Sequence, residues 1–289
     1  MFILRTVLPM AAFMFTSLTH AAVGVFTETS GDVKFLRAEY YFEAAVGVEV
    51  QAEDLVETGA AATAQLDMGD GSILRIGPNS RLVLTEYRLD EGGNVVAAGI
   101  EVVSGWLRFA VAKLRNDANY RIETSTMTIG IRGTEGVVEA QDSHGGLYLE
   151  EGAVEVSAVD PQHSKLPAAA LQAGEYIERT HGQPFVLPGQ APSAFRERMP
   201  PAFRERLRHR AQLLKARGIP PRQIRRIQGQ DVQRYLKDHP HMRPHLPQHM
   251  RKQLRANPEV HPQAQKNHPP RRVEPRPQRT PQGTRQGGR

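Results

Sequence analysis

From Ala22 to about Thr180 the chain alternates apolar and polar positions in short runs separated by Gly, Asp and Asn. Met127, Ile129 and Ile131 alternate with Thr126, Thr128 and Gly130, the two-residue period of a strand with one buried face. Leu66 and Met68 precede Asp70-Gly71, and Ile73, Leu74 and Ile76 follow it, which predicts a hairpin. The stretches Val102–Phe109, Leu147–Val156 and Leu171–Ile177 continue the rhythm, so the pattern predicts a mainly β domain over 22–180. Arg132-Gly133-Thr134 interrupts one alternating run before Val137-Val138 resumes it, and a glycine so placed marks a bend or a close backbone approach.

Beyond Thr180 the pattern changes. Pro200, Pro221 and Pro247 each stand three residues before an apolar residue followed by arginine: Phe203-Arg204, Ile224-Arg225 and Met250-Arg251. Proline suits the first turn of a helix, so two or three short basic helices are expected within 193–256. Phe203, Leu207, Ala211 and Leu214 form the best apolar stripe, with Gly218 placed to end that helix. Residues 181–192 read as a linker. Residues 257–289 hold almost no large apolar side chain and are expected to be disordered.

The run Thr124-x-Thr126-x-x-Ile129-Gly130-Ile131-Arg132-Gly133-Thr134 resembles the periplasmic domain of the FecR family. Further elements of that pattern flank it in order: Asp54/Thr58/Gly59 and Asp70/Gly71/Ser72 before it, Glu151/Gly152/Val154/Val156 and Leu171/Gly174/Glu175 after it. The resemblance covers most of 23–178 and implies an all-β, solenoid-like or sandwich-like fold. Well-studied members join this domain to a membrane helix and a cytoplasmic segment that engages a sigma factor. Here the similar region begins directly after a leader-like segment, which shifts the expected role toward a soluble sensor or partner-binding protein.

That leader is Met1–Ala21: Arg5, then an apolar Val7–Leu18, then a small-x-Ala cleavage pattern, as in a secretory signal peptide. A periplasmic or secreted protein is expected. The chain has no cysteine, which removes disulfides, thiolate metal sites and a cysteine nucleophile at once. Charge is divided unevenly. Residues 22–180 hold 12 Lys and Arg against 25 Asp and Glu, whereas residues 181–289 hold 24 against 6. This asymmetry suggests two segments with different tasks.

Candidate chemistry is sparse. The β region's histidines, His144 and His163, stand beside turn residues and nominate no catalytic triad, so no enzymatic activity and no cofactor are expected. Asp67, Asp70, Glu150 and Glu151 read as solvated turn carboxylates. Arg132, Gly133 and Thr134 read as a structural bend, with Arg132 paired to an acid such as Glu135, or as a recognition point. Trp106 reads as a core or strand-edge aromatic. Arg196, Arg198, Arg204, Arg206, Arg208, Arg210, Arg225 and Arg226 are candidates for binding an anionic envelope polymer or an acidic protein surface. Given export, nucleic acid is not the expected target. His239, His241, His245 and His249 have metal-ligating chemistry, but Pro244 and Pro247 break the helical spacing that would align them.

Overall fold

The computed structural model describes residues 21–112, 114, 118–159, 168–205, 207, 222–238, 243 and 246–256. The expected signal peptide, except Ala21, and the tail from Asn257 onward lie outside the described residues.

The alternation builds two sheets. Sheet I runs β4 (Glu49–Gln51), β1 (Ala22–Ser30), β6 (Thr63–Met68), β7 (Ile73–Ile76), the second half of β9 (Val95–Ala110), β12 (Glu135–Ala140), β13 (His144–Glu151), β16 (Tyr176–Thr180) and β17 (Val186–Gly189). Sheet II runs β18 (Arg222–Arg226), β3 (Tyr40–Glu43), β2 (Val33–Arg37), β5 (Leu55–Thr58), β8 (Arg81–Leu89), the first half of β9, β10 (Asn119–Glu123), β11 (Met127–Ile131), β14 (Ala153–Ala158) and β15 (Ala169–Gln172). Among these pairs only β9–β10 is parallel. The mainly β expectation is met.

The core lies between the sheets. Leu66, Leu74, Phe109 and Leu149 come from sheet I, and Leu84, Ile100, Ile122, Ile129 and Val156 form a registered row on sheet II. Each is fully buried. Register fixes which residues enter this layer, because a slip of one residue would turn every side chain to the other face.

Strands pass between the sheets at tight corners. β9 itself changes sheet at Gly105, whose φ is +91° and whose absent Cβ would lie 2.3 Å from Ser80 Oγ. The Arg132-Gly133-Thr134 interruption is a second corner, carrying the chain from β11 in sheet II to β12 in sheet I with Gly133 at φ +89°. Only glycine adopts such a φ without strain. The predicted Asp70-Gly71 hairpin joins β6 and β7, with Leu66 opposite Leu74.

The C-terminal segment departs from expectation. Of the pattern led by Pro221, which itself lies outside the described residues, Arg222–Arg226 form strand β18, not a helix, because β3 offers an open edge for their main chain. Glu43 and Glu39 on that side meet Arg222 and Arg226, and Ile227 just past the strand is buried. The presumed linker contributes β17. The stripe expected as one helix from Phe203 begins as a single 3-10 turn, Pro201–Arg204, which stops where Glu205 turns extended. Ala211, Leu214 and Gly218 lie outside the described residues. The helices are α1 (Ser193–Arg198), α2 (Gly229–Asp238) and α3 (Gln248–Ala256), the last starting directly after Pro247.

Candidate interaction surface

Both outer faces of the sandwich carry apolar side chains, and the C-terminal segment covers them. On sheet II, Leu36, Tyr41, Leu55, Val83 and Val103 pack under Ile227, Val232, Tyr235, Leu236, Leu246 and Met250. On sheet I, Val137, Tyr176, Trp106 and Tyr148 pack under Phe195, Phe203, Met199 and Ala202. Both phenylalanines are 1% exposed. Burying a large apolar side chain is worth about 1.5–3 kcal/mol, so this docking is held by apolar contact and not only by the charge asymmetry.

The sheet I face is the more elaborate. Antiparallel register places Gln65, Arg75, Arg108, Val137, Tyr148 and Tyr176 side by side across five pairings, all pointing outward. Arg75 donates to the Ala202 carbonyl at 3.1 Å and to Gln65 Oε1 at 2.8 Å. Arg108 donates to the main-chain carbonyls of Phe203 and Glu205, to Glu135 Oε1 at 2.8 Å and to Glu150 Oε2 at 2.6 Å. Burial raises the Glu150 carboxyl above its ordinary value despite Arg108, and Glu135 nearby adds to the rise. Phe195 lies with its ring 5.3 Å from Trp106 and 4.7 Å from Tyr176. Arg198 holds buried Glu139 with two contacts, 3.2 Å and 2.8 Å. Beside Trp106 an open groove of about 450 Å³ is lined by Asn79, Ser104, Glu139, Gln141 and Asp142.

The expected site residues divide as follows. Gly133 is a corner and Thr134 is buried against Gly152, whose absent Cβ would meet its Cγ2 at 2.7 Å. Arg132 is exposed, and its expected partner Glu135 is bound by Arg108. Arg196 and Arg204 are exposed, while Arg198 binds Glu139, Arg225 binds Asp231 at 2.6 Å and Arg226 binds Glu39. Those three are thus engaged within the chain. Arg206, Arg208, Arg210, His239, His241 and His245 lie outside the described residues. His249 is buried on α3 beside Glu39, and desolvation pushes its pKa down to about 4. Among the described residues no three His, Asp or Glu side chains are grouped to hold a metal ion.

Three carboxylates read as solvated turn residues have partners within the chain, Glu150 on Arg108 among them. Asp67 is buried and accepts from Thr27 Oγ1 and Gln65 Nε2, both at 2.9 Å. Asp70 accepts from Tyr87 Oη and Ser72 Oγ. Sequence reasoning also missed the Arg75 and Arg108 pair. Their outward position on alternating strands was readable, but nothing local shows that they grip a segment more than ninety positions away.

Residues 54–155 match the family model described as FecR protein. These residues run from β5 into β14 and supply the centre of both sheets. Two crystal structures of a candidate anti-sigma factor from Parabacteroides distasonis, at 1.65 and 2.50 Å resolution, are similar with a TM-score of 0.38 and 15% identity. The similarity covers 47% of this chain and 59% of theirs, so this chain spans little more than half of their length. No curated protein matches the chain. Among the described residues no helix is long and apolar enough to cross a membrane.

Proposed function

We propose that this protein is a non-enzymatic regulatory module of the cell envelope, exported by its leader, that acts by binding a protein partner. The observation that carries this reading is the FecR match at the centre of the sandwich, since FecR-like domains serve signal transduction. The site chemistry agrees with it. The polar groups of the outer face are guanidinium–carboxylate pairs and main-chain contacts, which suit recognition of polypeptide, not bond cleavage. The test is capture from envelope extract with the intact chain immobilised, followed by reconstitution of the purified candidate. A stoichiometric complex with a signalling protein is expected, and turnover of a substrate by the chain alone would overturn the reading.

A second reading, attachment to anionic polymers, draws on exposed Arg196 and Arg204 in the basic segment. Arginine pairs well with phosphate and carboxylate, and contacts between solvated charges are screened beyond about 8 Å at physiological salt. Co-sedimentation with isolated envelope polymer should therefore fall steeply as salt rises. Binding that is indifferent to salt would exclude it.

A further inference from the structure

An eight-residue unit is repeated in the segment that covers sheet I. Pro192-Ser193-Ala194-Phe195-Arg196-Glu197-Arg198-Met199 is followed directly by Pro200-Pro201-Ala202-Phe203-Arg204-Glu205-Arg206-Leu207, identical at six of eight positions. The two copies differ in backbone. The first is helix α1, in which the Arg196 N–H reaches the Pro192 carbonyl; the second is a 3-10 turn, in which the Phe203 N–H reaches the Pro200 carbonyl. The anchor and its exposed flanks nevertheless correspond. Phe195 and Phe203 are both 1% exposed, Met199 and Leu207 both turn inward, and Arg196, Glu197, Arg204 and Glu205 all face solvent. One sequence held in two conformations on one face means that the face selects the anchor side chain and its flanks, not a helix shape.

Each copy has its own subsite. Phe195 enters between Trp106 and Tyr176, with Glu139 taking Arg198. Phe203 sits over Gly77, where a Cβ would come within 3.2 Å of its ring, and Arg75 and Arg108 grip the carbonyls around it. At the Phe195 subsite the face is acidic where the repeat is basic. Glu139 is 2% exposed and otherwise accepts from Gln141 Nε2 at 3.2 Å, so an occupant without the matching arginine would leave a buried carboxylate without its countercharge.

We propose that the outer face of sheet I is a two-subsite peptide receptor, that the chain's own repeats are its resident occupants, and that a partner protein binds by presenting a segment of the same chemistry. That segment has a proline three residues before a phenylalanine and an arginine three residues after it, the position at which Arg198 meets Glu139. The proposal rests on the protein-binding reading above and names the surface and the ligand.

The experiment uses full-length protein and a fluorescent peptide of sequence Pro-Pro-Ala-Phe-Arg-Glu-Arg-Leu, read by anisotropy. Phe203→Ala, verified as folded by its thermal melt, should bind the peptide at least tenfold more tightly than the parent. A peptide with alanine for phenylalanine should lose that binding, and adding Gly77→Val to the variant should abolish it. If Phe203→Ala does not fold, cross-linking of the peptide to the parent at high concentration must map beside Gly77 and Arg108. No binding by the folded variant, or cross-links elsewhere, overturns the proposal. Dimers of the variant with no peptide uptake overturn it too, and assign the face to a second copy of the chain. Partner capture that persists in the folded Gly77→Val, Phe203→Ala variant removes this surface while leaving the general reading intact; absence of any partner removes the general reading.

Discussion

Arg75 and Arg108 stand opposite each other on β7 and β9, and both guanidiniums donate to main-chain carbonyls of one turn, residues 202–205. Two cations placed side by side repel unless each is compensated. Here Glu28, Glu135 and Glu150 and the bound carbonyls supply that compensation.

Replacing Arg108 should therefore be severe. Arg108→Met leaves Glu135 and Glu150 facing each other and takes the arginine from all four of its carbonyl and carboxylate partners. Breaking a buried ion pair from one side costs about 3–5 kcal/mol. Chemical denaturation should show a loss of that order, and Arg108→Lys should recover only part of it because an ammonium cannot fork between carbonyl and carboxylate. A loss below about 0.5 kcal/mol, the range of ordinary surface changes, would refute the clamp.

The corner glycines should separate by their surroundings. Gly71 has φ +85° with nothing within 4 Å of an added Cβ, whereas Gly105 has φ +91° and Ser80 and Asn79 within 2.7 Å. Gly71→Ala should cost about 1 kcal/mol from backbone strain alone, and Gly105→Ala clearly more. Gly133→Val should also exceed about 1 kcal/mol, while Arg132→Ala should be nearly neutral. Equal melting temperatures for the Gly71 and Gly105 variants would contradict this account.

Glu101 lies beneath α2 on sheet II, and burial together with Glu123 pushes its pKa up to about 8. Its unfolded carboxyl ionises near 4.5. Between those values the unfolded chain releases a proton that the folded chain retains, so stability falls as pH rises across that window and levels off above it. Glu101→Gln should raise the melting temperature at pH 8 and barely change it at pH 4.5. A gain of equal size at both would mean that charge is not the cause.

His249 acts in the opposite direction. Its ring titrates near 6.5 when unfolded and about 4 when buried, so its contribution is complete above 6.5 and is lost as pH falls toward 4. His249→Leu should flatten the melting temperature on the acid side of that window. An unchanged slope would place the acid sensitivity elsewhere.

Truncation after Thr180 tests what the outer faces need. The alternation suggests that 22–180 holds a core sufficient to fold, and the inter-sheet core is indeed within it. Yet Val83, Val103, Val137 and Tyr176 lie beneath residues supplied from 191 onward. The fragment should keep a β spectrum but associate through its bared faces, whereas 22–256 should stay dispersed. A monomeric, fully stable fragment at high concentration would show that the covering segment is dispensable.

The β class, the Asp70-Gly71 hairpin and the Gly133 corner were legible because each is local: a two-residue period, a turn pair and a glycine between apolar runs. The C-terminal segment was not. Pro221-x-x-Ile224 fits a helix start as well as a strand, and only the free edge of β3 decides between them. Asp67 looked like a turn carboxylate because its partners, Thr27 and Gln65, become neighbours only once β1 pairs with β6. The eightfold spacing of the phenylalanines was present in the chain, and a search for repeats with helical period passes over it.

Because β9 serves both sheets, the two leaves share a spine. They can gape at their outer margins, at β17 or β18, but not along the line through Gly105, where one continuous main chain crosses. Amide hydrogens of β9 should accordingly exchange last, at the rate of whole-molecule unfolding, while marginal strands exchange by fraying. On that expectation the chain should break down from its edges inward, its midline opening last.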